Sequence, residues 1–245
     1  EKIRLARFVA TCTRYNRDHL RQLAGDNGTP VHCVYHGIDT RLFDTDLRLA
    51  AAKAPYEILT VARMTTKKGL PTVYEALRRL KAASLPFRHT LIGDGDDRDM
   101  LLQMVKDFGL SDECRWLGTL AHGEVIERFK HSHAFVLGCE VAANGDRDGI
   151  PNVLMESMAM GVPVVATQVS AIPELVVNGE HGLVVPSKDP GALAEALARI
   201  LMDTGLRREV IPAARQRVRD HFDNRVLIDQ LAGHYHDHIP ELGRA

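Results

Sequence analysis

From Tyr56 onward the chain alternates short apolar runs with amphipathic stretches, and that rhythm admits few folds. Ile58–Ala62, His89–Ile92, Cys114–Leu117, Ala134–Leu137, Val162–Ala166 and Gly182–Val185 read as strands. Gly69–Ala83, Asp97–Phe108, His122–His131, Asn152–Met160, Ala171–Val177 and Pro190–Asp203 read as the helices between them. Strand and helix recur about every 25–30 residues, so the expected class is α/β, a doubly wound, Rossmann-like parallel sheet. The strand runs are apolar on both faces, as strands buried between two helical layers are. A charged helix over Arg207–His221 and a last one near Val226–His236 follow.

The first third reads differently. Arg7–Thr13 suits a strand, Asn16–Ala24 a short helix with Asn16 as its cap, and Val31–Tyr35 a second strand. His36-Gly37-Ile38-Asp39 turns the chain, and the Asp-, Arg- and Ala-rich stretch that ends at Pro55 reads as a linker. The 245 residues suffice for one large domain or one and a half ordinary ones. A formal net charge of −1 argues against a dedicated nucleic-acid binder. No apolar run approaches the roughly 20 residues of a membrane span. The four cysteines, Cys12, Cys33, Cys114 and Cys139, form no CxxC pair, so a reduced, cytoplasmic chain is the expectation. The chain opens at Glu1 rather than Met and reads as part of something longer.

Sheets of this kind bind ligands at the carboxyl ends of their strands, near the point where strand order reverses. The loops to weigh are therefore 63–69, 93–97, 118–122, 138–151 and 167–172. The richest is the run Asp148-Gly149-Ile150-Pro151-Asn152-Val153-Leu154-Met155-Glu156. Pro151 suits the first helical position, and the free N–H groups of Asn152, Val153 and Leu154 would form an anion site. Asp148 precedes that tip; Glu156 sits inside the helix. Carboxylates beside an anion site suit hydroxyl groups, so a nucleoside diphosphate sugar fits both features. Arg63 and Lys68 follow the first strand of this region and could neutralise a diphosphate. These residues also fit plainer roles: a solvated basic loop, an acid that favours a helix tip, and a solvated helical glutamate.

Other signals are weaker. Gly93-Asp94-Gly95 is a tight strand-to-helix turn without the third glycine of a dinucleotide fingerprint. The acids at 94, 96, 97 and 99 lack the twelfth-position ligand of a calcium loop. Gly118-Thr119-Leu120 could offer an apolar wall to a base. His234 and His238 would share a helix face as a metal pair, but no third ligand is specified. No metal site is therefore expected, and no Ser-His-Asp or Cys-His order is legible.

Taken in order, these segments resemble the C-terminal donor domain of the family 4 retaining glycosyltransferases of the GT-B fold. Val61-Ala62-Arg63 to Lys67-Lys68-Gly69-Leu70 looks like the family's Arg…Lys-Gly loop. Leu91-Ile92-Gly93-Asp94-Gly95 resembles its glycine turn and Trp116-Leu117-Gly118 its nucleotide-side loop. Asp148 to Glu156 resembles its pair of acids, and Ile172-Pro173-Glu174-Leu175-Val176 and Gly182-Leu183-Val184-Val185-Pro186 its closing segments. The Asp-Gly-Ile-Pro form is most similar to transferases of bacterial exopolysaccharide or colanic-acid assembly.

The resemblance implies roles. Arg63 and Lys68 would hold the diphosphate, Asp148 the sugar hydroxyls and Glu156 the ribose. Gly93, Gly149, Ile150, Pro151 and Asn152 would border sugar and phosphate, and Leu120 the base. The donor would carry UDP or GDP, with no cofactor and no metal. Residues 1–43 would be the end of an N-terminal acceptor domain, 44–55 a linker, 56–225 the donor domain and 226–245 a crossing helix and tail. The partners implied are a glycan or lipid-linked acceptor and a missing N-terminal domain, which could bring the enzyme to the inner membrane face. Three departures stand out: Asp148 where Glu is usual, Gly138-Cys139 where Pro-Ser or Pro-Cys is common, and Ala171 for a glycine. A nucleotide-sugar epimerase of the same fold and a non-catalytic nucleotide-binding domain are the alternatives.

Overall fold

The computed structural model describes residues 2–25, 28–43, 45, 52–239 and 241. The chain opens with a short helix α1 (Lys2–Leu5), then β1 (Val9–Thr11), α2 (Arg14–Ala24) and β2 (Val31–Cys33). After a 3₁₀ turn at Thr40–Phe43 come β3 (Tyr56–Val61), α3 (Leu70–Ala82), β4 (Phe87–Ile92), α4 (Arg98–Asp107), β5 (Cys114–Trp116) and α5 (His122–His131). The second half holds β6 (Ala134–Leu137), α6 (Asn152–Ala159), β7 (Val164–Thr167), α7 (Ile172–Leu175) and β8 (Leu183–Val185). Three helices close the chain: α8 (Pro190–Met202), α9 (Thr204–His221) and α10 (Asn224–His238). The linker expected over 44–55 lies largely outside the described residues.

The six later strands form one parallel sheet in the order β5-β4-β3-β6-β7-β8. Counted from β3 this is 3-2-1-4-5-6, the doubly wound order, so the fold class read from the sequence is the observed one. Winding reverses between β3 and β6, which pair directly. Successive residues of these strands point to opposite faces. Ile58, Ala134 and Val136 join the core under α3, α4 and α8, while Leu59, Phe135 and Leu137 join the core under α5, α6 and the end of α9. β1 and β2 form a separate parallel pair.

The two ends of the chain meet. Ile38 N–H donates to Phe222 O at 2.9 Å, and Asn224 N–H donates to Ile38 O at 3.0 Å. A Cβ on Gly37 would lie 2.6 Å from Phe222 O and 2.7 Å from Leu227 Cδ1, so only glycine permits this approach. The Thr40 hydroxyl donates to Asp223, whose buried carboxylate also accepts from Arg225 Nε at 3.0 Å. Arg225 first, then Thr40, hold that carboxyl well below the usual range against the cost of burial.

Three local expectations need correction. Thr13, not Asn16, caps α2: its hydroxyl accepts from Asn16 N–H at 3.0 Å, and the helix begins at Arg14. Extended backbone at Thr13 frees its side chain for that bond. Pro151 occupies the N-cap rather than the first helical position, with ψ of 125°, so the helix starts at Asn152. β7 starts at Val164 rather than Val162, because Val162 N–H is spent on Ser157 O in the turn after α6.

Candidate donor site

The loops after β3 and β6 are neighbours because those strands flank the reversal point. Two glycines let them touch. Gly69 has φ of +58°, and a Cβ there would sit 1.7 Å from Gly138 O. Glu140 N–H donates to Lys67 O at 3.0 Å, and the Thr167 hydroxyl donates to Cys139 O. The segment 67–69 is thereby fixed against 138–140.

This contact brings opposite charges together. Lys68 Nζ lies 2.6 Å from Asp148 Oδ2, and Lys67 Nζ lies 3.7 Å from Asp148 Oδ1 and 3.1 Å from Asp146 Oδ2. The Lys68 and Asp148 side chains are only 13% and 15% exposed. The Cys139 thiol, pushed up to about 12 by burial and then by Asp148, stays protonated and points at Asp148 Oδ2 from 3.6 Å. Lys68 and Asp148, expected in one site, are in direct contact. Lys67, which adjoins Lys68, and Cys139, noted only as a departure, were given no site role from the sequence.

Arg63 leaves the same loop exposed, with no ion-pair partner among the described residues. The rim around it is laced by backbone bonds. Met64 N–H donates to Asp94 O, Asp97 N–H to Met64 O, and Gly93 N–H to Gly118 O, at 2.8–3.0 Å. Gly93, at φ +130°, presses on the strand end: a Cβ would lie 2.0 Å from Ala62 O. Its carbonyl accepts from Trp116 Nε1 at 2.7 Å.

The tip of α6 faces the same end of the sheet. Asn152 and Val153 keep N–H groups without a partner among the described residues, which suits an anion. Leu154 is not a third free donor, as expected, because its N–H bonds Pro151 O at 3.0 Å. Ile150, just before this tip, and Leu120, in the loop after β5, are partly buried against the same core, and Gly149 lies 3.6 Å, by an added Cβ, from Thr13 Cγ2. Glu156, 14% exposed, lies 3.7 Å from His122 Nε2. Burial raises its pKa above the ordinary carboxylate value, while the His122 imidazole pulls it down. His122, at the start of α5, is a neighbour the sequence did not pair with Glu156.

The first unit, β1–α2–β2 and the residues to Tyr35 that follow, packs against α7. Glu174 on α7 accepts from Arg14 N–H and Tyr15 N–H at 2.8 Å and from the Tyr35 hydroxyl at 3.0 Å. A cavity of about 520 Å³ lies among β1, residues 34–37, Asn152 and α10.

A doubly wound sheet with cations, acids and a free helix tip at its reversal point defines a Rossmann-like α/β domain, and the sequence comparison gives it a family. Residues 46–217 match the profile of the glycosyl transferases group 1, and the chain belongs to that family. It is 38% identical over 202 residues to the amylovoran biosynthesis glycosyltransferase AmsK of Erwinia amylovora, covering 82% of this chain and 49% of that protein. It is 38% identical over 197 residues to WcaL of Salmonella typhimurium, a glycosyltransferase assigned to colanic acid biosynthesis, covering 80% and 48%. The chain thus spans about half the length of the curated relatives it matches. Among solved structures, Anabaena HepE in complex with UDP superposes with a TM-score of 0.83 at 20% identity, covering 96% of this chain and 65% of that one. That likeness is one of fold.

Proposed function

We propose that this chain is the donor-binding part of a retaining glycosyltransferase, which moves a sugar from a nucleoside diphosphate sugar to an acceptor hydroxyl. The observation that carries this reading is the Lys68–Asp148 pair, set beside the free N–H groups of Asn152 and Val153 at the sheet's reversal point. Arg63, Lys68 and the helix tip supply positive charge where a departing diphosphate gathers negative charge, so no cofactor or metal is invoked. Asp148 receives sugar hydroxyls, Glu156 the ribose hydroxyls, and Leu120 borders the base. Gly93, Gly149, Ile150 and Pro151 shape the backbone around them.

The relatives' roles in amylovoran and colanic acid assembly support an exopolysaccharide setting with a glycan or lipid-linked acceptor. The complex of HepE supports UDP as the first donor nucleotide to test, with GDP second. Nothing in the family match favours the epimerase or the non-catalytic alternative. We assign residues 1–43 to the end of an acceptor-side domain, 56–225 to the donor domain and 226–245 to the crossing helix and tail. The acceptor is read chiefly by an N-terminal domain outside this chain, and closure between the two domains limits water at the reacting carbon. No described helix is long and apolar enough to cross a membrane. We place the enzyme in the cytoplasm, where a lipid-linked acceptor would bring it to the inner membrane face.

The test is thermal denaturation with UDP, GDP and ADP. A nucleotide at about a hundredfold excess over its Kd raises Tm by about 5–10 °C; no shift with any of them removes the donor site. With the N-terminal sequence restored, the glycoside product keeps the donor's anomeric configuration, and an inverted product defeats the mechanism.

A further inference from the structure

Between β2 and α10, three imidazoles converge. His234 and His238 lie one turn apart on α10, and His32 faces them from the middle of β2. One ligand nitrogen of each lies within 4.8 Å of the other two. His32 Nε2 and His238 Nε2 are 2.9 Å apart, and the His32 and His234 rings stack at 3.9 Å. Phe8 walls one side, stacked on His238 at 5.1 Å and edge-on to His32 at 6.0 Å.

We propose that His32, His234 and His238 form a binding site for a divalent transition metal of the zinc type, joining the first unit to the last helix. Two imidazoles 2.9 Å apart share one proton at most, and that proton leaves the third ring unserved. Protonating the rings instead sets like charges against one another. One borderline-soft cation accepts lone pairs from all three. Metal–nitrogen bonds of about 2.0–2.1 Å in a tetrahedral arrangement place ligand nitrogens about 3.3 Å apart. The cluster already brackets that spacing, so rotation of the side chains suffices. Arg21, near His32, opposes a cation and Asp237 favours one. Arg21 is drawn aside by its bond to Val31 O at 3.1 Å. Three protein ligands leave the fourth position to water. The role that fits the placement is a clamp between β2 and α10, separate from the donor loops.

The experiment uses the whole chain, stripped with a chelator and titrated with zinc alone at neutral pH. One zinc binds per chain, and a hundredfold excess over Kd raises Tm by about 5–10 °C. Cobalt gives the visible absorption of a tetrahedral site and is displaced by zinc. His32→Gln and His238→Gln each weaken zinc binding more than about tenfold, while both variants keep the metal-free circular dichroism spectrum and a cooperative melt. Absence of zinc binding overturns the proposal. So does zinc binding of undiminished affinity in the variant lacking all three histidines, which would locate the metal elsewhere.

Discussion

The Lys68 ammonium and the Asp148 carboxylate, 2.6 Å apart, tie the loop after β3 to the loop after β6 across the point where the sheet reverses its winding. On the proposed donor reading, a diphosphate sugar entering this site meets a charge pair already formed. The ligand's phosphate must compete for the lysine and its hydroxyls for the acid, so the two residues are held in place before binding.

Replacing Lys68 tests the phosphate half of that exchange. A charge-assisted hydrogen bond contributes about 1.5–3 kcal/mol, so Lys68→Ala weakens UDP or GDP binding by about tenfold to a hundredfold. Asp148 keeps Lys67 and the Cys139 thiol as neighbours, so the fold survives. Isothermal titration of both proteins decides the matter, and equal dissociation constants would remove Lys68 from the phosphate site.

Glu156 gives a pH signature. Burial raises its pKa above the ordinary 4.5, so the folded state holds its proton more tightly than the unfolded state does. Its charge therefore costs stability as pH rises from that value through the raised one, and the cost persists at neutral pH. Glu156→Gln raises Tm at neutral pH, with a gain that shrinks as pH falls toward the ordinary carboxylate range. The same variant loses affinity for nucleotide if the ribose sits here. A Tm difference independent of pH would rule out the titration.

His89 carries the opposite sign. It is fully buried between Thr60, whose hydroxyl lies 3.0 Å from Nε2, and Tyr74, while its Nδ1 has no partner among the described residues. Burial pushes its pKa down to about 3. Stability present above about pH 6.5 is lost as pH falls toward 3, at about 1.4 kcal/mol per unit. Comparing Tm against pH for the native protein and His89→Leu exposes this slope, which the variant lacks.

Gly69→Ala tests the loop contact itself. Both the left-handed backbone and the 1.7 Å approach to Gly138 O forbid a methyl group. The expected cost is about 3 kcal/mol or more, with loss of nucleotide binding because residues 67–68 and 138–148 separate. A variant with native Tm would show that the loops slide freely.

Much of the fold was legible because its signals are local. Ala134–Leu137 and His122–His131 are found with the bounds read from their apolar runs. The ends that shifted did so through single hydrogen bonds, as Thr13 to Asn16 N–H and Val162 to Ser157 O illustrate. Site residues near one another in sequence, such as Asp148 with the tip at Asn152, were equally readable. Lys67 with Asp146, Glu156 with His122, and His32 with His234 were not. Their meeting depends on which strands lie side by side and on how α10 returns, and no periodicity in the sequence encodes either.

The stitch at Ile38, Phe222 and Asn224 sets a rule for dissecting the chain. A cut placed by position, before Tyr56 or after Arg225, severs partners that are adjacent in space. Removing the start strips α10 of the surface it lies on and orphans the backbone groups of Phe222 and Asn224 that Ile38 pairs with, and removing the end uncovers β2. Mechanically, the first two strands and the last helix are one part made from the two ends of the chain. A clean truncation on either side would divide that part.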